Sequence, residues 1–309
     1  MDTAGPFRRL WLFVLAASTF GGVFVAVEVG LSYFPPLLFL ALRFDLAAAF
    51  LLAYVAVTRE RWRPRTRGDI AAVLVAGLLA IGLTNALLFL GQRTVPGAVA
   101  SVVFSLAPVL TPAFALALLP GEKLSYRGLA GLLLGLVGVG LVVQPDPSSL
   151  LGGDVGGRVV LLGGALALAF GTTLLKRADA GIPSIAVVAW ALPVSALVVH
   201  AASALAGESL AAVEWTPTAF ATVGYVSVFG AAIAYNAYFE LLDLVGPIEA
   251  TLVSYAVPMV ATVLSWTLLD RVVSATTVAG FAVIFLGFAL LEYRTLRGIV
   301  PAVRAALDR

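Results

Sequence analysis

Arg43, Asp45, His200 and Glu240 are ionisable side chains set in stretches that are otherwise apolar. An ionisable group at the centre of a bilayer costs at least about 2.5–3.5 kcal/mol, so each needs a partner or a task. Arg43 is a permanent cation that can bind a substrate carboxylate, meet Glu28 of the preceding span, or extend its head to the interface. Asp45 is two residues away and projects to nearly the opposite side of a helix, so it cannot be that partner; it is a candidate proton-coupling site. Glu240, one turn after Asn236, is the second coupling candidate and also suits the water interface where its span ends. His200 falls near the other end of its own span. Zero cysteines and one histidine exclude disulfides, iron–sulfur clusters, haem thiolates and Cys/His metal sites, so no metal or other cofactor is expected.

Uncharged polar residues come in matched positions. Asn85 and Asn236 suit gates or hinges, and equally suit hydrogen bonds between helices. Pro108 and Pro258 each remove a backbone hydrogen bond inside an apolar span, which marks broken helices. Ser101 and Ser105 share a stripe with Pro108, as Thr251 and Tyr255 do with Pro258. Such faces line a cavity or bond to carbonyls of their own helix. Trp190 and Tyr235, with Phe20, Tyr225 and Tyr238, are candidates for an aromatic cavity wall. Gly131, Gly135, Gly138, Gly280 and Gly287 bring no chemistry and suit close helix packing.

The elements that must hold these residues are membrane helices. The chain has 309 residues, 61% hydrophobic and 12% charged, far from the composition of soluble domains. Ten apolar segments reach the roughly 20 residues that a bilayer crossing requires. They run Leu10–Glu28, Pro35–Val57, Asp69–Gly91, Pro96–Leu119, Ser125–Val143, Arg158–Leu175, Ser184–Ala206, Pro217–Glu240, Pro247–Asp270 and Ser274–Tyr293. Asn85, Pro96, Pro108, Gly131 and Gly138 recur as Asn236, Pro247, Pro258, Gly280 and Gly287, at an offset drifting from 151 to 149. The pattern divides the chain into residues 1–147 and 148–309, each with five spans. An odd number of crossings inverts the second copy. The fold expected is an all-α integral membrane protein with ten transmembrane helices in two inverted five-helix repeats. Of the 19 Lys and Arg residues, fifteen fall on the side of the N-terminus, which places both termini in the cytoplasm of a multi-pass cell-membrane protein. A net charge of +2 gives no reason to expect nucleic acid; lipid headgroups are the partner for the basic run from Arg59 to Arg67.

Phe20-Gly21, Pro35-Pro36 and Ala41-Leu42-Arg43-Phe44, followed by Ser101, Pro108, Gly121-Glu122, Leu124-Ser125, Gly131 and Gly138-Val139, resemble the EamA family of the drug/metabolite transporter superfamily. The resemblance covers nearly the whole chain, with Asp270-Arg271 standing where the first half has Gly121-Glu122. It implies an internal duplication and movement of small organic solutes, such as amino acids or metabolites, through a central cavity, often as export. The residues themselves point to secondary transport by alternating access, with protons as a coupling ion. The alternatives are a membrane-embedded receptor or enzyme. No Asp-rich metal motif, histidine cluster or Ser/His/Asp set supports an enzyme, no mid-membrane lysine in a late helix supports a retinal pigment, and no Walker-type loop is present.

Overall fold

In hydrocarbon every backbone N–H and C=O needs a partner inside the protein, which an apolar helix supplies within one segment. The computed structural model describes residues 6–95, 97–118, 126–143, 155–246, 250, 252–269 and 275–291, and holds no strand among them. In chain order the helices are α1 (Pro6–Gly30), α2 (Pro36–Thr58), α3 (Arg67–Gly91), α4 (Gly97–Phe104), α5 (Ala107–Leu118), α6 (Tyr126–Val143), α7 (Val155–Arg177), α8 (Ser184–Leu205), α9 (Pro217–Val245), α10 (Val253–Leu269) and α11 (Ala275–Leu291). Six of them, α1, α2, α3, α7, α8 and α9, are long and apolar enough to cross a membrane. Shorter apolar stretches occupy α6, α10 and α11. The span expected from Pro96 to Leu119 is two short helices, broken at Ser105 and Leu106 just before Pro108. A residue followed closely by proline leaves the helical region easily, and the chain steps aside there.

Helix starts are held by carboxylates from elsewhere in the chain. Pro35 precedes α2 in an extended conformation, and the first free amides, those of Leu37 and Leu38, donate to Glu208 at 3.3 and 2.7 Å. Glu208 lies just beyond the end of α8. At the start of α8 the relation is reversed: the amides of Gly181 and Ile182 donate to Asp69, in the first turn of α3, at 2.8 and 3.2 Å. Asp69 also closes a capping box with Thr66. A carboxylate at each site meets unpaired N–H groups and the positive end of a helix dipole.

These contacts make α2 and α8 an antiparallel pair. Along it, Asp45 meets His200 at 2.7 Å, and Trp62, just past α2, stacks on Trp190 with ring centres 5.8 Å apart. The pair α6 and α11 is also antiparallel, and it is closer still. A methyl group built on Gly138 would sit 2.6 Å from the Ile284 amide nitrogen; one on Gly287 would sit 2.8 Å from the Gly131 carbonyl oxygen. Backbone meets backbone there, which only glycine permits. Elsewhere α1 packs on α9 and α10, while α7 packs on α3, α4 and α5.

Substituting Gly287→Val should therefore overpack the α6–α11 contact and cost about 1–3 kcal/mol. Thermal unfolding of detergent-solubilised protein checks this, with Gly224→Ala as control, since a methyl on Gly224 meets nothing within 4 Å. Equal midpoints for the two variants would show that the contact tolerates bulk.

Candidate functional site

Two helices change their winding at matching places. Within α3 the segment Ala76–Leu83 is a π-helix, and within α9 so is Val228–Ile233. A π segment shifts the backbone register by pairing each carbonyl with the amide five residues on, and in each of these two a carbonyl also accepts from a side chain of a neighbouring helix. In α3 the Gly77 carbonyl accepts from Ser195 Oγ of α8 at 2.7 Å. In α9 the Gly230 carbonyl accepts from Arg43 Nη2 of α2 at 2.9 Å. The absence of a side chain at Gly77 lets α8 come close, because a methyl there would lie 2.9 Å from the Ala191 carbonyl oxygen.

Arg43 does more than cap Gly230. Its Nη1 donates to Asn85 Oδ1 at 3.0 Å, and Asn85 Nδ2 donates to the Tyr235 hydroxyl and to the Ile81 carbonyl, each at 2.8 Å. Asn85 follows the first π segment and Tyr235 follows the second, so one polar chain ties both bends to α2. The guanidinium is 1% exposed, and its Cζ lies 5.8 Å from the ring centres of Phe44 and Phe89. Among the described residues no carboxylate pairs with it, and its Nε–H has no partner.

Beside this chain lies a cavity of about 100 Å³. Its wall takes Phe20, Val23 and Phe24 from α1, Arg43 from α2, and Ala80, Ile81, Thr84, Asn85 and Leu88 from α3. Ser101 and Phe104 of α4, Leu168 and Thr172 of α7, Tyr235, Tyr238 and Phe239 of α9, and Val253, Ser254 and Val257 of α10 complete it. Phe20 meets Tyr235 and Tyr238 edge-on at 5.7 and 6.0 Å, so the aromatic side is pre-formed. Among the described residues, Arg43 is the one charged side chain in the wall.

Both stretches that hold these helices match one description. The EamA-like transporter family matches at residues 8–144 and again at 156–293. The chain belongs to the EamA-like transporter family. It is similar to the uncharacterized inner membrane transporter YedA of Escherichia coli (strain K12), 31% identical over 246 residues, which are 79% of this chain and 77% of that one. It is also similar to a probable terminal-alkyne amino-acid exporter of Streptantibioticus cattleyicolor, 25% identical over 296 residues, with 94% and 95% covered. A solved structure described as a crystal structure of a protein shares the fold, with a TM-score of 0.75 at 22% identity, covering 94% of this chain and 98% of that one. With its apolar helices, the EamA-like chain is a multi-pass membrane transporter.

In this EamA-like fold, Arg43, Asn85, Ser101 and Tyr235 come together at the cavity, with Phe20 and Tyr238 beside them. Ser105 sits one turn beyond Ser101 and bonds instead to the Ser101 and Ser254 carbonyls, both at 2.8 Å, fastening α4 to α10 at the break. Trp190 is away from the cavity, donating to the Trp62 carbonyl at 3.0 Å. Asn236 and Glu240 line a separate hollow with Arg8 and Trp11, where Arg8 pairs with Glu240. The Tyr255 ring packs over Gly135. Asp45 is on the outer face with His200. Pro258 is buried in α10. The backbone of Pro108 lies in α5, its side chain is outside the described residues, and so is Thr251. Neither direct alternative for Arg43 occurs: it does not extend to an interface, and Glu28 instead accepts from the Gly97 amide at 3.2 Å. Sequence reasoning did not find the π segments or Ser195. The glycines at 77, 82 and 230 are the only trace of those bends, and glycine has many other uses.

Replacing Asn85 by leucine removes an acceptor from a buried charge, which should cost about 1.5–3 kcal/mol. Tyr235→Phe leaves Arg43 bonded and should cost about 0.5–1.5 kcal/mol. Unfolding midpoints in detergent give the order; a larger effect for Tyr235→Phe would contradict the chain of bonds described.

Proposed function

We propose that this chain is a secondary transporter that carries a small organic solute, such as an amino acid or related metabolite, outward by alternating access. Ten transmembrane helices form two inverted five-helix repeats, residues 1–147 and 148–309, in the cell membrane with both termini cytoplasmic. The family matches at 8–144 and 156–293 support the duplication. The antiparallel packing supports the inversion: α2 and α8 are corresponding helices, as are α6 and α11, and corresponding helices of two repeats run antiparallel across an axis in the membrane plane. The remaining contacts exchange in the same sense, α1 with α9 and α10, α7 with α3, α4 and α5.

The observation that carries the function is the cavity, walled from both halves and bounded by the matched π segments. A site at the seam of two inverted repeats opens to one side or the other as one half rocks against its counterpart. The break between α4 and α5, Pro258 in α10 and the π segments are where the helices bend. Likeness to a probable terminal-alkyne amino-acid exporter supports export of an amino-acid-like solute. Protons are the coupling ion, through Asp45 or Glu240. Each carboxylate stands against a basic partner, Asp45 against His200 and Glu240 against Arg8.

The sequence has no cysteine, so single cysteines report without background. A cysteine at Leu88 should react with impermeant maleimide from outside in intact cells and from inside in inverted vesicles. Reaction from one face alone under all conditions, with counterflow of labelled solutes intact, would remove alternating access. Asp45→Asn or Glu240→Gln should abolish pH-driven accumulation and leave counterflow; full accumulation in both variants would exclude them as coupling sites.

A further inference from the structure

We propose that Arg43 is the recognition site for a carboxylate, so that, resting on the transport reading above, the solutes carried are organic carboxylates with a small apolar body. A buried charge without a counter-charge is costly, and a native protein keeps one only for a reason. The structural task of Arg43, capping a carbonyl in a π segment, does not call for charge. Ser195 performs it for the Gly77 carbonyl from the corresponding helix, with a neutral hydroxyl. What arginine adds is a full positive charge and a surplus of donors.

Arg43 stands in the cavity wall, where a ligand can come. A guanidinium has five N–H groups. Two are engaged, with Asn85 and Gly230, and Nε–H has no partner. Among the described residues, the helices that meet at Arg43 bring carboxylates that are each bonded elsewhere. Glu28 accepts from the Gly97 amide, Asp45 pairs with His200, Asp69 caps helix starts, Glu240 pairs with Arg8, and Asp243 accepts from Ser184. The counter-charge therefore arrives with the solute. Planar arginine matches a carboxylate with two parallel hydrogen bonds, and the low dielectric around it strengthens them.

The rest of the wall defines the body. Phe20, Phe24, Phe104 and Tyr238 are apolar or aromatic surface, and among the described residues no acidic side chain lines the cavity to receive an ammonium group. At about 100 Å³, with a water occupying about 30 Å³ of liquid, the cavity holds a carboxylate and a few carbons. Longer apolar bodies enter as the helices part.

Thermal unfolding of the purified full chain in neutral detergent tests this without any transport assay. The probes are propionate and 3-phenylpropionate, against propylamine and 3-phenylpropylamine, with sodium chloride at matched ionic strength. Carboxylates should raise the midpoint saturably, as a ligand of the folded state does, and the amines and chloride should not. Arg43→Gln should raise the half-saturating concentration at least tenfold, and Arg43→Lys, which keeps the charge but not the fork, should fall between. If Arg43→Gln does not fold, the wild-type contrast of carboxylate with amine decides alone. Equal stabilisation by amines, a carboxylate effect no greater than that of chloride, or unchanged half-saturation in Arg43→Gln each overturns the assignment. Carboxylate binding with no counterflow would unseat the transport reading and keep the site. Counterflow of the amines alone would do the reverse.

Discussion

Inside a membrane the backbone must find its hydrogen-bond partners within the protein, and the polar chain beside the cavity rests on two carbonyls that do so across helices. The winding of α3 and α9 changes beside the cavity, and at each place a carbonyl accepts from a donor on a neighbouring helix. Ser195 answers one and Arg43 the other. Because the second donor is an arginine, it also reaches Asn85, and through Asn85 the Tyr235 hydroxyl. The bends, the cavity and the charge are thus one arrangement.

Symmetry and its breach have separate jobs in this molecule. The features found in both halves, the π segments, the glycine contact of α6 with α11 and the carboxylates at the helix starts, shape the backbone. The feature found once among the described residues is the cation in the cavity wall. A duplicated scaffold can keep its geometry while one position differs in chemistry, because a neutral donor is enough to cap a carbonyl.

Much of this was legible in the residues, and the limits have physical causes. Arg43 was conspicuous because charge is rare in apolar segments, and the break before Pro108 because proline cannot complete the ladder. Asn85 and Tyr235 were nameable as candidates, whereas their bond to each other depends on two helices 150 residues apart. Trp190 shows the reverse difficulty: aromatic side chains suit a cavity wall and a loop contact alike, and only the fold put it against Trp62. The π segments left almost no mark. Their winding is set by which donor stands next to a carbonyl, and that is a property of the neighbour rather than of the segment.

The two carboxylates at the ends of the α2–α8 pair restrict how the halves can travel. Glu208 grips the beginning of α2 from beyond α8, and Asp69 grips the approach to α8 from beyond α2. Sliding one helix along its companion by a single residue, about 1.5 Å, would stretch the bonds at both ends together. The pair is pinned at both ends, like a rod seated in two sockets.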